Sequence, residues 1–238
     1  MMLLFFLFSL MFSIEQAPSP STTKELVGAW QMTKPDGTQG LWIMDENYFS
    51  ITYYNTNRPE FISTAGGKWS LSKDGKLEVH WEYNTKETDL VGQQQILPLV
   101  QKGNSMTVEK NSWKRVDDGR PGELKGAWLI TGRQIDGEMQ TMTPGARKTM
   151  KILSGTRFQW IAYNSQTGEF SGTGGGSYTT KDGKYTETIE FFSRDNSRVG
   201  ASITFDYKLQ DGKWHHSGFS SKGDPLYEIW STRQSLGI

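Results

Sequence analysis

The sequence predicts an all-β protein of two antiparallel β-barrels in tandem, following an N-terminal signal peptide. Three observations carry that expectation. Glu25-Leu-Val-Gly-Ala-Trp30 recurs, a small domain's length later, as Glu123-Leu-Lys-Gly-Ala-Trp128, so each half reads as its own folding unit. Apolar residues alternate with polar ones at period two, the pattern of a half-buried strand. Asp-Gly pairs at 36–37, 74–75, 136–137, 182–183 and 211–212 punctuate these runs. Both residues tolerate positive φ, which makes the pair a hairpin signal.

The elements follow in order. Residues 1–14 form an apolar run too short to span a bilayer, which needs about 20 residues. It fits the apolar core of a signal peptide over 1–16, with 17–23 as a polar linker and a secreted or periplasmic destination. The first barrel is expected over 24–116. Within it Leu77, Val79, Trp81 and Tyr83 share one strand face. A linker, 117–122, carries charge, glycine and proline. It is short enough to hold the two barrels as neighbours with a modest interface. The second barrel is expected over 123–235. Its Phe158, Trp160 and Ala162 share one face, as do Ile203, Phe205, Tyr207 and Leu209. The repeat continues inside the domains: Phe49–Asn55 matches Phe158–Asn164, and Phe61–Gly67 matches Phe170–Gly176.

Composition narrows the function. The chain has 26 basic and 26 acidic residues and no net charge, which argues against a nucleic-acid surface. No block of like charge offers a polybasic membrane tether, so the mature form is expected to carry no stable membrane anchor. Cysteine is absent, which excludes disulfides, thiolate metal sites and thiol catalysis. Together with the lack of an Asn-x-Ser/Thr sequon, this favours a bacterial source. No cofactor, metal or catalytic residue is expected. Gly172-Thr-Gly-Gly-Gly176 lacks the following Gly-Lys-Ser/Thr of a phosphate loop and reads as a bulge or tight bend. His215-His216 reads as part of a surface strand, its two rings on opposite faces.

Each repeat opens on Gly-x-Trp and closes on Trp with a nearby Arg: Trp113 with Arg115, Trp230 with Arg233. A unit of this length and ending resembles the lipocalin (calycin) family. The resemblance implies that Gly28, Trp30 and Arg115 close the first barrel, and Gly126, Trp128 and Arg233 the second. In each the guanidinium would cover the indole.

What differs between the copies points to the ligand. Glu187 stands among Tyr185, Ile189 and Phe191 on an apolar face, where the first copy has Val79. A carboxylate there is costly unless it is paired or wetted, and Arg157, Arg194 and Arg198 are candidate partners. The longer second barrel is therefore the expected site. Its lining would be Glu187, Tyr185, Ile189, Phe191, Phe158, Trp160, Phe205 and Tyr207, and its occupant a small apolar or amphipathic molecule held without chemical conversion. Two alternatives stay open: an isomerase or hydrolase using Glu187 as base, and a module with filled barrels that binds a glycan or a protein.

Overall fold

The computed structural model describes residues 22–220 and 223–238. The expected signal peptide lies outside the described residues, as does the linker up to residue 21. Thr22 caps a one-turn helix, Thr23–Leu26, whose Glu25 carboxylate accepts from the Thr22 amide at 2.7 Å.

The first unit holds β1 (Gly28–Thr33), β2 (Thr38–Met44), β3 (Tyr48–Asn55), β4 (Glu60–Leu71), β5 (Leu77–Asn84), β6 (Gln94–Leu97), β7 (Leu99–Lys102), β8 (Ser105–Val108) and β9 (Asn111–Asp117). The second holds β10 (Gly126–Ile135), β11 (Glu138–Thr141), β12 (Arg147–Leu153), β13 (Arg157–Asn164), β14 (Phe170–Lys181), β15 (Lys184–Phe192), β16 (Ser202–Gln210), β17 (Lys213–Phe219) and β18 (Pro225–Thr232). All pairings are antiparallel. The second sheet closes through β10 and β18, and the first joins β1 to β9. The chain is thus two closed or nearly closed β-barrels in tandem.

β6 and β7 are one strand interrupted by Pro98, which has no N–H to give a ladder. The equivalent β16 is unbroken. Its Asp206 pairs with both Lys184 and Ser217, the point where the strand leaves β15 for β17.

The repeat shows again in the strand irregularities. Gly66 pairs with Tyr83 and Gly67 with Trp81, so Glu82 is an extra residue in β5. Gly175 pairs with Phe191 and Gly176 with Ile189, so Glu190 is the extra residue in β15. Gly67 and Gly176 have φ of 159° and 156°, and a Cβ there would lie 2.0 Å from the His80 carbonyl oxygen or 2.1 Å from that of Thr188. The glycine run is thus the partner of a β-bulge.

A bulge exchanges faces for the rest of its strand. Tyr185, Glu187 and Ile189 point into the second barrel, but Phe191 points out. It joins Tyr54, Tyr83, Tyr163, Ile43, Ile152 and other apolar residues in a core between the barrels. Its expected place in the ligand face is thereby corrected, and Tyr83 leaves the interior of the first barrel by the same cause. Corresponding contacts meet across this interface. Phe61 stacks on its counterpart Phe170 with ring centroids 5.9 Å apart, and Tyr83 lies 4.7 Å from Tyr163 as its counterpart Phe191 lies 4.9 Å from Tyr54. At its centre the Gln159 carboxamide oxygen accepts from Ser50 and, at 2.8 Å, from Thr52. The Gln159 NH2 donates to Thr64 and Thr173, each at 2.9 Å. All four bonds that this side chain can make are made. The interface is therefore a third hydrophobic core, larger than the modest contact expected.

Candidate functional site

The two barrel ends begin alike. The Trp30 indole donates to the Leu26 carbonyl and the Trp128 indole to that of Leu124, both at 2.9 Å. Gly28 and Gly126, which precede them, have φ of 122° and 129°. At Gly28 a Cβ would lie 2.1 Å from the Asp117 carbonyl oxygen, so the Gly-x-Trp glycine makes room for the closing strand.

The arginines then part company. The Arg115 guanidinium lies 4.0 Å over the Trp30 ring and donates to the Val27 carbonyl at 3.0 Å. In the second barrel the residue paired with Trp128 is Thr232. Arg233 comes one position later, on the opposite strand face. It leaves the barrel for the interface, donating to both oxygens of Glu82 at 2.7 and 2.8 Å and lying 3.9 Å over Tyr48. The expectation that Arg233 covers Trp128 is corrected, and the change from Trp-x-Arg to Trp-x-x-Arg is the physical reason.

Inside the second barrel, Glu187 is buried and paired with a cation that the sequence reading missed. The Lys151 ammonium donates to its Oε1 at 2.7 Å. That ammonium also lies 5.1 Å from the ring centres of Tyr185 and Trp214, 5.5 Å from that of Trp230 and 5.8 Å from that of Phe205. Lys151 pairs with Trp128 in the ladder as Trp42 does with Trp30, so an alignment of the copies exposes it. Of the expected partners, Arg157 bonds Glu190, Arg194 bonds the Ser171 carbonyl and Arg198 pairs with Asp195.

His216 completes this polar interior. It is 2% exposed, which corrects its surface reading, while His215 on the other face bonds the Tyr227 hydroxyl at 2.8 Å. Burial and the Lys151 charge press the imidazole below its ordinary range. The Glu228 carboxyl beside it, at 3.4 Å, is resisted by burial. Its contacts with His216, Lys151 and Arg133 nevertheless carry it down to about 2. The first barrel has Val79, Val108 and Asn111 in place of Glu187, His216 and Glu228.

Phe158, Tyr185, Ile189 and Phe205 are buried in this second core, with Trp160 and Tyr207 packed at its margin. The Tyr207 hydroxyl leaves the barrel to reach Glu123 at 2.5 Å. Trp160 and Phe192 meet edge to face, 5.6 Å apart, over Gly174. A Cβ on that glycine would lie 2.6 Å from the Trp160 indole nitrogen and 2.7 Å from the Phe192 ring. These two rings fill the mouth of the second barrel.

The same three places in the first barrel hold Ile51, Ala65 and Asn84. Smaller side chains leave room there. A cavity of about 320 Å³ opens between Trp42, Tyr53, Trp81 and Trp113 on its apolar walls and Asn84, Lys86, Glu87, Gln95, Glu109 and Asn111 among its polar lining. A second depression shares Tyr53, Ser63, Lys86 and Asn111 with it and extends towards Lys34. The Trp81 indole bonds Gln95 at 2.9 Å, whereas the buried indole nitrogens of Trp42 and Trp113 have no partner. Burial, followed by the nearby Glu109 charge, raises the Tyr53 hydroxyl to about 12. Among the described residues, no group of His, Asp or Glu is arranged to hold a metal ion.

Residues 123–235 match a family model described as a domain of unknown function, DUF4488. No curated protein matches the chain. Among solved structures, an uncharacterized protein from Bacteroides eggerthii DSM 20697 is 18% identical, with a TM-score of 0.32. The match covers 46% of this chain and 99% of that one.

Proposed function

We propose that this chain is an exported, non-enzymatic binding protein of lipocalin-like build, whose first barrel takes a small amphipathic molecule. The observation that carries the reading is the cavity among Trp42, Tyr53, Trp81 and Trp113. Ligand sites are concave and largely apolar, with a few polar groups that set orientation. The apolar run at 1–14 supports export. The ligand site thereby moves from the second barrel, where Glu187 had drawn attention, to the first. The second barrel acts as a support, its mouth filled by Trp160 and Phe192 and its interior charges paired. Glu187 as a catalytic base finds no support, because its carboxylate is held by Lys151 among packed rings.

Titration with N-phenyl-1-naphthylamine, a neutral apolar probe, tests this reading through tryptophan quenching. One saturable site is expected. Ile51→Trp with Ala65→Gly carries the indole half of that plug, Trp160 over Gly174, into the first barrel and should abolish binding while the protein stays folded. Absence of saturable quenching, or full binding by the plugged variant, counts against the proposal.

A further inference from the structure

Glu109 stands on the two-residue turn between β8 and β9, at the rim of the first-barrel cavity. Its φ is 55°. Among the described residues the other non-glycine positions with positive φ are Asp136, Asp182 and Asp211, and a glycine follows each of them. That is ordinary hairpin chemistry, since aspartate bonds locally and glycine has no Cβ to clash. Glu109 fits neither case. Its side chain is too long to bond its own turn in that way, and Lys110 follows it. Turn geometry alone would select glycine, asparagine or aspartate here. A strained residue that persists at the edge of a cavity points to a use for its side chain.

The surroundings indicate which use. Glu109 and Glu87 both line the cavity, against the single cation Lys86. Tyr53, Trp81 and Trp113 supply the adjoining apolar wall. A ligand with an anionic end would meet two carboxylates. One with a hydrogen-bond-donating end would find a charged acceptor, and such bonds are stronger than neutral ones.

We propose that Glu109 is the polar anchor of this site, and that the ligand presents a hydrogen-bond-donating end, a hydroxyl or an ammonium, on an apolar body. This rests on the first barrel being the binding site. The test is calorimetric titration of the intact protein with decanol, decylammonium and decanoate. At least one of the two donors should bind about tenfold or more tightly than decanoate, and their order separates hydroxyl from ammonium. Glu109→Gln should erase that preference without altering the melting temperature. Glu109→Gly should erase it too, while raising the melting temperature by about 2–4 °C as the strain is released. Three probes bound alike, or a preference that survives Glu109→Gln, would overturn the role of Glu109 and leave the cavity standing as a site. A Glu109→Gly protein no more stable than the parent would overturn it as well, by removing the strain. No saturable binding of any probe would sink both this proposal and the reading beneath it.

Discussion

Glu82 and Glu190 are the same residue of the repeat, the extra one in a β-bulge, and each accepts a hydrogen bond from the counterpart tyrosine of the other barrel. Tyr163 donates to Glu82 at 2.5 Å and Tyr54 to Glu190 at 2.8 Å. The bulge is what lets a carboxylate leave its own strand and reach across. Each carboxylate also holds an arginine of the second barrel: Glu82 holds Arg233 and Glu190 holds Arg157. The interface therefore has approximate two-fold symmetry, as expected of two copies of one fold packed through the same outer face. The symmetry is broken where the charges lie, because the Arg233 and Glu82 side chains are 1% and 7% exposed while Arg157 and Glu190 are 18% and 27% exposed.

That difference sets unequal costs. Glu82→Ala leaves the Arg233 guanidinium buried without its acceptor and should lower unfolding free energy by about 3–5 kcal/mol. Glu190→Ala leaves Arg157 near water and should cost only about 1 kcal/mol. Urea denaturation of the two variants decides it, and equal losses would contradict the account. The pH dependence has a definite sign. Burial alone would raise the Glu82 carboxyl, but the hydrogen bonds and charge of Arg233 outweigh it and hold the group below its ordinary value. Its stabilisation is therefore complete above the unfolded value, about 4.3, and is lost as pH falls through the lower folded value.

Lys151 and Glu187 should behave as a unit. Either single change, Lys151→Trp or Glu187→Val, strands one charge among aromatic rings and should cost about 3–5 kcal/mol. The first barrel already folds with Trp42 and Val79 at these positions, both buried. Carrying that pair over as Lys151→Trp with Glu187→Val should bring stability back to within about 2 kcal/mol of the parent. A double variant as unstable as the sum of its single changes would show that the ion pair is required beyond its neutrality.

The sequence announced the architecture because alternation and Asp-Gly turns are local properties of the chain. The pairing of Trp30 with Arg115 came from the lipocalin resemblance, and it holds because the Trp113-x-Arg115 spacing keeps the arginine on the inward strand face. Besides Lys151 and the buried His216, three features escaped. Phe191 was placed by counting alternate residues across Glu190, and a bulge is invisible to such a count unless Gly175-Gly176 opposite is read as its partner. Arg233 was placed by likeness to Arg115, although its odd offset from Trp230, Trp-x-x-Arg, puts it on the other strand face. The cavity escaped because its signal is an absence of bulk. Ile51, Ala65 and Asn84 look unremarkable until Trp160, Gly174 and Phe192 are set beside them, and those three places meet only through the register of β3, β4 and β5.

His216 gives the second barrel a buried imidazole where the first has Val108, and with it a further pH dependence. Its ring packs 4.2 Å from Phe205 and 5.3 Å from Trp214, and the charged groups around it are Lys151, Glu187 and Glu228, the last held in turn by Arg133. Burial first, and then the Lys151 charge, keep the folded imidazole neutral to lower pH than in the unfolded chain. Above the unfolded value, about 6.5, both states are neutral and the group adds no slope. Below it the unfolded chain takes up a proton that the folded chain refuses. Stability then falls by up to about 1.4 kcal/mol per pH unit until the folded ring also titrates. Glu228 works at the acid end: its contribution is lost only below about 4.5, as pH falls towards its folded value of about 2. The two effects therefore separate between pH 7.5 and 5. His216→Val, the residue that Val108 supplies in the first barrel, should flatten that interval relative to the parent. Urea midpoints at half-unit steps of pH measure the difference, and parallel curves for the two proteins would mean that the imidazole is already free to protonate where it stands.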